Sequence, residues 1–217
     1  FLGISTILAA AFATVTWGQP LQIIDYTASS QHAQRTWDHV WDNSGMSGDS
    51  GPGTNVVNDL HDQSVDANFG MWSQGSPPPH TATFDMGQSY ELDEFWLWND
   101  NESTWYIQGI KEVTIEIREF GKPFTTVFGP ADVPSAQQAG AAASGPDLFV
   151  DLTGITGRFF RITTGAAQDH SHWVDLGGPG FNADAAINEI RLYGDTNGLG
   201  NASTEACCFP DGSCTNL

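Results

Sequence analysis

The chain has 217 residues, with 26 acidic side chains against 7 basic ones and a formal charge of -19 at pH 7. A field of that sign repels phosphate backbones and anionic lipid, which excludes nucleic acid and an anionic membrane as partners. Hydrophobic residues make up 40% of the chain and aromatics 12%, enough apolar surface to fill a core and to argue against disorder.

Residues 1–13 read FLGISTILAAAFA, an apolar run without charge. It is shorter than the ~20 residues a bilayer span needs. It ends in Ala11-Phe12-Ala13, the small-x-small pattern that signal peptidase cuts. Residues 1–18 are therefore expected to be a secretory signal peptide whose basic n-region is missing, and the protein to be secreted or at the cell surface. A buried N-terminal strand or helix is the alternative. Residues 42–55 form a Gly/Ser/Asp loop, and Ser76-Pro77-Pro78-Pro79 breaks the chain again. Strands are expected at 81–86, around Phe95–Leu97 with Trp96 and Trp98, and at 113–117. There Val113, Ile115 and Ile117 alternate with polar residues. Residues 56–62 have room for one helical turn. Further strands are expected at 124–128, 148–152, 158–164 and 186–193, with a loop of small residues over 129–147. In the last strand, Ile190 and Leu192 should face inward, and Glu189 and Arg191 the other way. Many short strands between Gly/Pro turns and no long helical period predict an all-β protein, an antiparallel β-sandwich.

Residues 195–206 read as a linker, and residues 207–217 as the start of a Cys-containing element. All three cysteines lie in Cys207-Cys208-Phe209-Pro210-Asp211-Gly212-Ser213-Cys214. Adjacent cysteines rarely bridge each other, so either Cys207 or Cys208 is expected to bond Cys214 across the turn, the third thiol needing another partner. Zinc is the rival reading, but no His follows at ligand spacing. This run resembles the CCxPDGxC elements of large exported bacterial proteins of planctomycete type. The region before it lacks Cys and must be held by its core.

Several segments in order resemble one template. They are Asp25-Tyr26-Thr27-Ala28-Ser29-Ser30, the stretch 58–72 closing on Trp72, and Ala82-Thr83-Phe84-Asp85-Met86-Gly87. After residues 110–117 come Gly154-Ile155-Thr156-Gly157-Arg158-Phe159-Phe160-Arg161-Ile162 and Ile187-Asn188-Glu189-Ile190-Arg191-Leu192-Tyr193-Gly194. Together, over residues 22–194, they resemble a discoidin or coagulation-factor C-type domain of the galactose-binding-like superfamily. The resemblance implies a jelly-roll sandwich with ligand-specific loops at one end. It also implies a module that binds sugars, glycans, lipid headgroups or proteins and that rarely catalyses. It implies a structural calcium ion, held by Asp62, Ser64 and Asp66, the carbonyl of Met71 and Glu189. Calcium takes six to eight oxygens, and a solvated acidic loop is the bland alternative.

Sugar sites combine a flat aromatic face with a few hydrogen-bonding groups. Residues 99–108, with Trp105 and Tyr106, carry that mixture, as do residues 168–175, with His170, His172 and Trp173. Residues 36–42, with Trp37, His39 and Trp41, are a weaker third. In each case the aromatics could instead cap the core. His170 and His172 could also ligate zinc. Glu91, Asp93 and Glu94 could pair for glycoside hydrolysis, but no nucleophile elbow, metal-protease helix or phosphate loop is present. The expected protein is an exported, non-enzymatic carbohydrate-binding module. The alternatives are a structural or adhesive module that binds protein, and the accessory domain of a secreted glycoside hydrolase.

Overall fold

A computed structural model describes residues 19–31, 36–42, 71–73, 79–100, 109–134, 146–165, 185–195, 207–208 and 214–215. The elements in chain order are β1 (Gln19–Pro20), β2 (Asp25–Ala28), one 3-10 turn (Trp37–Val40), β3 (Met71–Ser73), β4 (Thr81–Asn99) and β5 (Glu112–Arg118). They continue with β6 (Thr125–Asp132), β7 (Leu148–Thr164), β8 (Ala185–Gly194), β9 (Cys207–Cys208) and β10 (Cys214–Thr215). The residues proposed as a signal peptide and the possible turn at 56–62 lie outside the described residues.

One sheet runs β1-β8-β4-β7-β5-β6, with β2 also on β4 and β3 also on β8. Every strand pairing in it is antiparallel. The all-β, antiparallel expectation holds. Two expected pairs of short strands are each one long strand. β4 and β7 stay paired from Thr81↔Thr163 to Leu97↔Leu148, but their register slips between Asp85 and Tyr90 and again between Leu92 and Glu94. Bulges of this kind bend a strand and increase its twist. Gly87 and Gly154, with φ of 83° and 82°, stand in these bends, in backbone conformations that side chains disfavour.

The bends fold the sheet into two facing layers. The first contains β2, the start of β4, the end of β7, β5 and β6; the second contains β1, β3, β8, the end of β4 and the start of β7. In register, Phe160 stands beside Phe84, and Phe95 beside Val150. Yet the rings of Phe95 and Phe160 come within 4.7 Å, because they meet across the layers. The period-2 burial of β5 points Val113, Ile115 and Ile117 into that space, where they join Leu97, Ile162, Ile190 and Leu192. Each such side chain is worth about 1.5–3 kcal/mol on burial. Gly157 is a close approach: a Cβ there would collide with the Cγ2 of Ile117.

Strand β6 continues through Pro130, where the sequence predicted a loop from 129 onward. Among the described residues it pairs only with β5 and so lies at the edge of the sheet, where a missing N–H breaks no ladder. Trp37 is fully buried, its indole N–H donating to the carbonyl of Ser30 at 3.0 Å. Its ring packs 5.8 Å from Phe84, and Trp41 packs against both Phe84 and Tyr26. The weak recognition candidate at 36–42 is thereby corrected: Trp37 plugs the core and Trp41 leans on it.

Candidate functional site

The two ends of the sandwich differ. At one lie the bends of β4 and β7 and the turn after β5. At the other lie the end of β2, both tips of β4 and of β7, the start of β5, the end of β6 and the start of β8, so the connections 101–108, 135–145 and 166–184 begin and finish there. Two strand contacts bring these points together. Gly109 bridges to Ala186, joining the exit of the 101–108 connection to that of the 166–184 connection. Ser73 and Met71 stand opposite Ala185 and Ile187.

Asn99, at the tip of β4, is the hub of this end and is fully buried. Its Nδ2 donates to the carbonyl of Ile110 at 2.8 Å and to that of Pro134 at 3.0 Å. Its Oδ1 accepts from the amide of Asp100 at 3.2 Å, and its own amide donates to Oδ2 of Asp147 at 2.8 Å. Asn99 thus ties both roots of two connections, 101–108 through Asp100 and Ile110 and 135–145 through Pro134 and Asp147. Gly109 makes room for it, since a Cβ there would stand 2.6 Å from Oδ1. Burial pushes the Asp147 carboxyl up to about 6, against the lowering effect of the Asn99 amide. On the first layer the same end is closed by His80. Its amide donates to Oγ1 of Thr164 at 3.0 Å, the Thr164 amide donates back to its carbonyl at 2.9 Å, and its Nδ1 lies 3.1 Å from Oγ of Ser30.

The side chains predicted to meet a sugar, Trp105, Tyr106, His170, His172 and Trp173, lie outside the described residues, as do Asp62, Ser64 and Asp66 of the calcium set. What is described is where their segments are rooted: 101–108 and 166–184 share the Gly109–Ala186 bridge. Met71 is placed in β3 opposite Ile187, two positions from Glu189 on β8. Glu189 faces away from the core as expected, but is buried and ion-paired with Arg191, also buried. Arg191 further donates to the Ile190 carbonyl at 2.8 Å. Glu189 is therefore a calcium donor only in competition with a guanidinium. Among the described residues, no three His, Cys, Asp or Glu side chains gather to hold a metal.

On the same outer face of the second layer, Trp96, Trp98 and Tyr193 form a separate buried cluster. Trp96 lies 4.8 Å from Tyr193 and donates its indole N–H to Oε2 of Glu94 at 2.9 Å. Burial raises the Glu94 carboxyl, with Asp93 and Asp151 adding to the shift. Glu91, Asp93 and Glu94 sit inside β4. In the tail, Cys214 stands opposite Cys208, and Thr215 opposite Cys207.

Sequence reasoning missed Asn99 and Asp147 as structural hubs. Both were read as polar residues of loops, and nothing in their neighbours marks them as buried.

No known family profile matches the chain, and no curated protein does. Among solved structures it is similar to CBM32-3 from a family 31 glycoside hydrolase of Clostridium perfringens, at 17% identity. That match covers 81% of this chain and 91% of the other, with a TM-score of 0.49. A fucose binding module of Streptococcus pneumoniae matches at 15% identity over 80% of this chain and 94% of its own, with a TM-score of 0.48. The C-terminal domain of a chitobiase from Bacteroides fragilis matches at 17% identity over 81% and 97%, with a TM-score of 0.45.

Proposed function

We propose that this chain is a non-catalytic carbohydrate-binding module of an exported protein, and that its ligand is held at the end organised by Asn99. The observation that carries this reading is the rooting of the connections. The two segments richest in aromatic and hydrogen-bonding side chains leave the sandwich beside each other, at the Gly109–Ala186 bridge. A rigid scaffold that presents variable segments at one end is the usual arrangement of a binding site. Trp105 and Trp173 would stack on sugar C–H faces, while Tyr106, His170 and His172 would supply hydrogen bonds. A single small site of this kind binds in the millimolar to micromolar range. Calcium bound by Asp62, Ser64, Asp66, Met71 and Glu189 would be structural, bracing the connection before β3. One of Cys207 and Cys208 would bond Cys214.

A glycan array probed with the whole chain tests the reading. Binding to one glycan class, lost in Trp173→Ala and Trp105→Ala, is the expected result. Failure to retain any glycan, or retention that both variants share, refutes it. In that event the rival, a protein-binding or spacer module, takes its place.

A further inference from the structure

The end of the sandwich opposite the loop roots has a chemistry of its own. Four of the seven basic residues in the chain, Arg118, Lys122, Arg158 and Arg161, collect around the β5–β6 turn and the last part of β7. Guanidinium groups and rings alternate there. Arg161 lies 3.9 Å over Phe124, Arg118 lies 4.8 Å from Phe124 and 4.0 Å from Phe159, and Arg158 lies 5.0 Å from Phe159 and 5.4 Å from Phe120. Contacts within ~6 Å of a ring centroid are attractive, and this stack explains how the hairpin is held.

The stack does not account for the charges. Arg158 is paired bidentately with Asp85 at 2.8 and 2.9 Å, and Arg161 with Glu116 at 2.6 and 2.7 Å. Among the described residues Arg118 and Lys122 touch no carboxylate at ion-pair distance, although the charge of Arg118 helps to lower the Asp85 carboxyl. Both line one open cavity of about 350 Å³. Its other walls include the hydroxyl-bearing Thr125 and Thr156 and the apolar Val127 and Ile155. Phe120, in the same turn, is 57% exposed. The size lies within the range of small-molecule sites.

We propose that this cavity is a second binding site, for a small ligand carrying one carboxylate on a ring rich in C–H groups, the class of the uronic acid sugars. Two cations without a carboxylate in contact ask for an anion, and the N–H groups of a guanidinium stacked on rings match a carboxylate. Glu119 also lines the cavity and leaves a local balance of one positive charge, which selects a monoanion over a phosphate or a polyanion. The apolar walls and the threonine hydroxyls call for a ring with both C–H and OH groups. The net charge of -19 does not forbid this, because charges beyond ~8 Å are screened at physiological salt while the two cations lie against the ligand.

The test is an amide chemical-shift titration of the whole chain with D-galacturonate, with D-galactose as its uncharged counterpart, and with acetate. Galacturonate should move the amides of residues 117–127 and 154–156, and galactose should act there at least roughly tenfold more weakly, a charge-assisted hydrogen bond being lost. Lys122→Gln, an exposed position, should weaken galacturonate roughly tenfold with an unchanged melting temperature. Arg118→Gln should weaken it further. Movement confined to residues 109–111, 164–165 and 185–187 would overturn this site while upholding the loop end. An equal response to acetate would overturn the sugar class, and no response would overturn the proposal.

Discussion

Replacing Asn99 by Ala tests the idea that one side chain fastens the loop end. The substitution removes two donors and leaves the carbonyls of Ile110 and Pro134 facing a void. A buried acceptor without its partner costs about 1–3 kcal/mol. The Ile110 bond is buried and the Pro134 bond only partly so, which puts the sum at about 2–4 kcal/mol. For a chain of this length each kcal/mol moves the melting temperature by about 2–4 °C, so the variant should melt about 5–15 °C lower in a calorimetric scan. Asn99→Asp should do worse at pH 7 than Ala. It points a carboxylate at two carbonyl oxygens and stands beside Asp147. Acidification should recover part of its loss, which it cannot do for Ala. Hydrogen exchange should report the damage at the amides of Asp100 and Val133, whose acceptors are Oδ1 of Asn99 and the carbonyl of Lys111. A melting temperature for Asn99→Ala within about 2 °C of the parent would refute the reasoning.

Two further outcomes are expected. Asp147 has its carboxyl raised to about 6 from an ordinary 3.8 by burial, so the fold favours its protonated form. The stability it contributes is present below about pH 4 and is lost as pH rises through 6. Between pH 7.5 and 5 the parent should gain about 1 kcal/mol from this group, and Asp147→Asn should lose that slope in urea titrations. The lowered carboxyls of Asp85 and Asp38 titrate below that window and do not obscure it. If calcium braces the connection before β3, EDTA should lower the melting temperature and added calcium restore it; an unchanged melt would refute the calcium.

The strands that a reader of the sequence could find are those with a clean period of two. In β5 the alternation of Val113, Ile115 and Ile117 with Glu112, Thr114, Glu116 and Arg118 matches the observed burial residue by residue. β8 was legible for its inward face, Ile190 and Leu192, although its outer face is buried as well. β4 and β7 were each read as two strands, and Gly87 and Gly154 stand where the single strands bend. Hydrogen bonding resumes beyond the bends, and a local sequence window does not register a partner strand that bends at the same place. Trp37 was ambiguous because an aromatic outside a periodic run carries no sign of which side it faces. The hub at Asn99 was illegible for a related reason: its role depends on the carbonyls of Ile110 and Pro134, 11 and 35 residues away.

The pairing of Gln19 with Gly194 has a mechanical consequence. The two residues leave the sandwich side by side, on the end away from the loop roots. A tension applied through them pulls β1 off β8 one contact at a time, first Gln19, then Pro20, then the bond from the Leu21 amide to the Leu192 carbonyl. Peeling of this kind breaks bonds in series rather than sharing the load among them. The first yielding would therefore strip a short edge segment at modest force, while the hydrogen bonds of Asn99, at the far end, carry none of it.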